Sequence, residues 1–136
     1  PLEQLVAQAC SAGLSPLERI DGFVRSWFAL LVEDAWFRQS FEILLNKTEL
    51  TEAMLTTLER ERRLTQSMIE TLEALVCAAQ AQGQIPQGQT AGQLALMIYT
   101  QLMGVTQTWL FAPGLFDLNE QRGFFAERLL RSLQQS

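Results

Sequence analysis

The sequence feature that most constrains the fold is residues 94–111, a helix-length stretch whose apolar residues occupy more than one face. At about 3.6 residues per turn, one face carries Leu94, Ile98, Leu102, Val105 and Trp109, and the other carries Leu96, Tyr99, Met103 and Leu110. A helix that is apolar all round is covered on both sides or lies in a membrane. Interspersed Gln and Thr residues leave no run of about 18 apolar residues, which argues against a membrane span. We therefore expect the Leu94 face to contact a second copy of the chain and the Tyr99 face to contact the chain's own interior. The alternative is a six-helix globule that buries the whole helix within one chain.

Start and stop signals predict an all-α, single-domain chain of six helices, without strands or repeats. Ser15, Pro16 and Glu18 provide a helix start with a capping box, and Pro113-Gly114 ends the central stretch before a new start at Asp117. The predicted helices cover about residues 2–12, 16–34, 35–46, 48–82, 90–111 and 117–133.

The composition excludes several classes of function. The 136 residues contain no His and only one Lys, so the usual general base and metal ligand are missing. With a net charge of −5 and no basic run, the chain does not itself offer a nucleic-acid-binding surface. Cys10 and Cys77 are too far apart for a zinc or redox motif, and they suggest buried, reduced thiols in a cytoplasmic protein. We expect no catalytic residues, no metal and no cofactor.

Two features can be interpreted either as a ligand site or as ordinary structure. Glu61 and Thr65 interrupt an apolar stripe on the long predicted helix. They are either polar groups inside an apolar cavity or residues at a wet helix edge, with Glu61 paired to Arg62, Arg63 or an arginine of another helix. Likewise, the aromatic residues of 23–41 are either core or the wall of a mostly apolar pocket.

Two motifs, in the same order along the chain, resemble segments of a known protein family. Residues 42–50 read EILLNKTEL and are similar to the EIL-x-x-K-x-E-F segment of AcrR-type members of the TetR family of transcriptional repressors. Residues 109–118 contain WLFAP followed by FDL, which resembles a turn of that subfamily. The resemblance covers essentially the whole chain and implies the C-terminal effector-binding and dimerisation domain. The N-terminal helix-turn-helix domain is expected to be absent from this chain, so operator DNA would be bound only through that missing domain.

The resemblance also implies a function and a set of site residues. A hydrophobic small molecule, often cationic or aromatic, would bind in a pocket and release operator DNA of efflux genes. The implied ligand-binding residues are Phe23, Val24, Trp27, Phe41, Leu45, Glu61, Thr65, Met68, Leu72, Tyr99, Leu102, Met103 and Gln107. The last two helices would form a four-helix interface in a homodimer, through Ile98, Gln101, Val105, Trp109, Phe124, Phe125 and Leu129. The alternative is a helical protein–protein interaction module without a small-molecule site.

Overall fold

The fold is a bundle of helices. The computed structural model describes residues 13–45 and 51–136, apart from the side chains of residues 43–45. These ranges contain no strand, and their helices are α1 (Pro16–Glu33), α2 (Ala35–Leu45), α3 (Glu52–Ala81), α4 (Ala91–Phe111) and α5 (Leu118–Gln134). The predicted all-α class is therefore confirmed. The helix predicted for residues 2–12 lies outside the described residues.

Side-chain caps define where the helices begin. The Ser15 hydroxyl accepts from the backbone N–H of Glu18, whose carboxylate accepts from the backbone N–H of Ser15. Thr90 and Asp117 cap α4 and α5 as predicted. Thr51 caps α3, which therefore begins later than the expected residue 48. These caps satisfy amide groups that have no partner within the helix.

The turn after α3 is held by backbone geometry and by one amide side chain. Gly83 has a φ of 75°, and the N–H of Gln84 donates to the carbonyl of Ala79 over 2.8 Å. This is the Schellman arrangement, in which glycine adopts the left-handed conformation without strain. The side chain of Gln80 donates to two carbonyl groups of the following loop, and Ile85 of that loop is buried in the core.

Helix α1 lies at the centre of the bundle, because it contacts each of the other four helices. Helix α4 packs chiefly along α3, and α5 packs chiefly along α1. The largest fully buried side chains are those of Ile20, Phe23, Trp27, Phe28, Leu31, Phe37, Met68, Leu72, Ile85, Ile98 and Leu102. No described helix combines the length and sustained hydropathy that a bilayer crossing needs.

The two faces of α4 are arranged differently from the prediction. Leu94, Ile98 and Leu102, expected to face a second copy, are buried in the chain's own core. Tyr99 and Met103 are half-buried and pack against the same core. Helical periodicity places these residues at the correct angles around the axis of α4. It does not indicate which side of the helix faces the chain's own interior. The side that remains exposed, here named the outer face of α4, consists of Gln93, Leu96, Thr100, Gln101, Gly104, Gln107, Thr108 and Phe111.

One smaller expectation also changes. Cys77, expected to be a buried thiol, is exposed on α3, whereas Cys10 lies outside the described residues.

Candidate functional site

Trp27 is the centre of a group of aromatic rings drawn from three helices. The ring centroids of Phe23, Phe37 and Phe41 lie 6.3, 5.6 and 5.4 Å from that of Trp27, and the ring of Tyr99 lies 6.3 Å away. Phe37 and Tyr99 meet the indole edge-on, at 88° and 81°. We refer to these five residues as the aromatic cluster. Edge-to-face packing of this kind adds to the stabilisation from apolar burial.

Two hydrogen-bonded pairs introduce polar groups into this apolar environment. The Trp27 Nε1–H donates to the Thr106 hydroxyl over 2.9 Å, and both residues are fully buried. The Thr106 hydroxyl in turn donates to the carbonyl of Leu102 over 2.7 Å. The hydroxyl groups of Thr65 and Tyr99 lie 3.3 Å apart and join α3 to α4. The cluster therefore offers ring faces together with a small number of hydrogen-bonding groups.

Along α3, the stripe that contains Thr65 changes from half-buried to buried. Glu61 and Thr65 are half-buried, whereas Met68 and Leu72 further along are fully buried. Within the described ranges Glu61 makes no ion pair or hydrogen bond, so a pairing with Arg62 is not seen there. This α3 stripe therefore begins with the Glu61 carboxylate, continues with the Thr65 hydroxyl and ends with the buried apolar side chains of Met68 and Leu72.

Most of the predicted ligand-binding residues lie in or against the core that contains the cluster. Those buried in this core are Phe23, Val24, Trp27, Phe41, Met68, Leu72 and Leu102. Tyr99 and Met103 are half-buried and pack against the core, Thr65 meets Tyr99 through its hydroxyl, and Glu61 is half-buried one turn before Thr65 on α3. The side chain of Leu45 lies outside the described residues. Gln107 does not join the group, because it is exposed on the outer face of α4.

Thr106 and Phe37 belong to the site but were absent from the predicted set. Thr106 continues the buried row of Ile98 and Leu102 at four-residue spacing, which places it on the inner side of α4. A second signal was available, since a buried tryptophan usually requires an acceptor for its indole N–H. Thr106, on the inner side of a neighbouring helix, supplies that acceptor.

The predicted interface residues fall into three groups. Ile98 and Leu129 are buried in the chain's own core, so they have no surface left for a second copy. Val105, Trp109 and Phe125 are half-buried. Gln101 and Phe124 are exposed, and they remain available for contact with a partner.

The outer face of α4 carries no charge and ends in an apolar groove. None of the 21 residues of α4 is charged. The groove has a volume of about 510 Å³ and is lined by Gly104, Gln107, Thr108, Phe111, Ala112 and Leu115. The side chains of Phe111 and Leu115 are 87% and 71% exposed. Depletion of charge together with exposed large apolar side chains is typical of a surface that another protein covers.

Comparison with known proteins identifies the family to which the chain belongs. The family described as the C-terminal region of MAATS-type transcriptional repressors matches residues 15–135. The chain belongs to this family. It is thus a TetR-type regulatory region rather than an enzyme, as the sequence analysis predicted. A comparison with curated proteins found no match.

Solved structures with the same fold include two of NalD, the secondary repressor of the MexAB-OprM multidrug efflux pump in Pseudomonas aeruginosa. Both NalD chains are 25% identical to this chain, with TM-scores of 0.81 and 0.79. The match covers 98% of this chain and 68% or 66% of the NalD chains. The chain therefore spans about two thirds of the length of these repressors.

Proposed function

We propose that this chain is the effector-sensing and dimerising region of a repressor of efflux genes. A hydrophobic small molecule, cationic or aromatic in character, binds at the aromatic cluster. A DNA-binding domain outside this chain contacts the operator. Effector binding lowers operator affinity because the effector prefers the dimer geometry that does not fit DNA.

The observation that carries the proposal is the two-sided role of α4. Its inner side contributes Tyr99 to the aromatic cluster and Thr106 as the acceptor of the Trp27 indole N–H, whereas its outer side is uncharged and exposed. One helix thus connects a site suited to a small molecule with a surface suited to a second copy. The similarity to NalD, a repressor of a multidrug efflux pump, supports the same assignment.

The side chains of the site support a preference for amphipathic ligands. Ring faces and the Met68 thioether favour apolar or aromatic groups, and the hydroxyl groups of Thr65 and Tyr99 favour a hydrogen-bonding group. Glu61 is the charged member of this group of residues, and its carboxylate favours a cation. We therefore expect aromatic cations to bind more tightly than neutral dyes of similar size.

Light scattering combined with dye titration tests the proposal. We expect the mass of two copies and saturable binding of ethidium, an aromatic cation, and of Nile red, a neutral dye, at one site per copy. Tyr99→Phe should weaken ethidium binding by about fivefold, because one hydrogen bond is lost. Ser67→Ala, which removes an exposed hydroxyl on α3, the helix of Thr65, is the control and should have no effect. A single copy without a saturable site would instead support the interaction-module alternative.

A further inference from the structure

The hydrogen bond between Trp27 and Thr106 has a fixed direction. The Thr106 hydroxyl carries one hydrogen, which is donated to the Leu102 carbonyl over 2.7 Å. Its oxygen can therefore only accept from the indole N–H of Trp27, 2.9 Å away. Both side chains are fully buried, so water cannot replace either partner.

This direction selects one of two orientations of the indole. A half-turn about the Cβ–Cγ bond would move Nε1 away from the Thr106 hydroxyl, in a buried environment that includes the rings of Phe23, Phe37 and Phe41. In that orientation the buried N–H would lack its oxygen acceptor, which is unfavourable in an apolar environment. The Thr106 hydroxyl is therefore the group that distinguishes the observed indole orientation from its flipped form.

We infer that Thr106 is a positioning residue of the effector site: it holds the buried Trp27 indole in the orientation against which the less buried rings of Phe41 and Tyr99 pack. The inference rests on the proposed function, since it assumes that effectors bind at the aromatic cluster. Thr106 contributes without contacting the ligand, because its hydroxyl is already bonded to Trp27 and Leu102. The surface met by the ligand is supplied by the half-buried Tyr99, whose ring packs against the indole that Thr106 holds.

The test uses a protein in which Trp27 is the only tryptophan, made with Trp36→Phe and Trp109→Phe. Thr106→Val removes the hydroxyl but keeps the side-chain shape, and Thr106→Ser keeps the hydroxyl. We expect Thr106→Val to reduce the near-UV circular dichroism of Trp27 and to raise the Kd for ethidium by about fivefold. Thr106→Ser should keep both values close to those of the parent, although both substitutions alter core packing and lower Tm.

A double-mutant cycle with Trp27→Phe separates positioning from packing. The phenylalanine has no N–H, so adding Thr106→Val should change the Kd for ethidium by less than about twofold. This pair also replaces both hydrogen-bonding partners with apolar groups, which keeps the test usable if Thr106→Val alone folds poorly.

The possible outcomes have distinct meanings. Equal effects of Thr106→Val with and without the Trp27→Phe substitution, or equal losses with Val and Ser, would overturn the positioning role. An unchanged Trp27 signal and Kd in Thr106→Val would overturn it as well. If the parent protein binds neither ethidium nor Nile red, the proposed function itself fails, and that failure is recognised from the parent alone.

Discussion

Placing a charge on the outer face of α4 should dissociate the proposed dimer. The Phe111 side chain is 87% exposed, so a phenylalanine of about 200 Å² offers about 170 Å² to a partner. If half of that surface is covered, its burial contributes about 2 kcal/mol per copy at about 25 cal/mol per Å². Twofold symmetry uses the residue twice, so Phe111→Glu should weaken association by about 4 kcal/mol, which is about a thousandfold in Kd.

Sedimentation velocity over a range of protein concentrations would measure this change. Trp36→Glu is the matched control, because Trp36 is a similarly exposed aromatic residue, at 79%, at the start of α2 rather than on α4. It should leave the association constant unchanged, since glutamate is also favourable in the first turn of a helix. If Phe111→Glu forms dimers with the same Kd as the parent protein, the assignment of this face as the dimer interface is refuted. An equal loss of association in Trp36→Glu would refute it as well.

Three further predictions concern the site and the stability of the fold. Glu61→Ala should weaken ethidium binding more than Nile red binding in calorimetry, and equal losses for the two dyes would remove Glu61 as a charge partner. Gly83→Ala should lower the free energy of unfolding by about 1 kcal/mol because of its positive φ, whereas Gly22→Ala within α1 should raise it by about 0.5 kcal/mol in the same urea titrations. Hydrogen bonds from Ser15, its backbone N–H first and then its hydroxyl, lower the pKa of Glu18 below 4.5. The resulting stabilisation is present above pH 4.5 and is lost as the pH falls through the lowered value, so Glu18→Gln should show a shallower decrease of Tm in acid, and an unchanged slope would contradict this.

Local chemistry made much of the fold predictable from the sequence. Ser15, Thr90 and Asp117 are caps whose side chains act within a few residues, so the sequence alone locates the starts of α1, α4 and α5. The α3 stripe was also correct, with Glu61 and Thr65 lying on the side that becomes buried at Met68. Such features depend on helix periodicity and on short-range hydrogen bonds.

Features that depend on how helices pack were predicted less well. Helical periodicity placed Ile98 and Leu102 on one side of α4, but it carries no information about which neighbouring helix covers that side. The consequence was an interface set that included core residues and a ligand set that included the exposed Gln107. Thr106 was missed for a related reason, because its partner Trp27 is 79 residues away in the sequence.

The most direct test of the account is a crystal structure of the chain with ethidium bound. We expect the ethidium ring system to lie against Phe41 and Tyr99, the less buried rings of the aromatic cluster, with the outer face of α4 packed against a second copy around Phe111. Ethidium bound away from the aromatic cluster, or an outer face left open to solvent, would contradict the claim that α4 separates an effector site from a dimer interface.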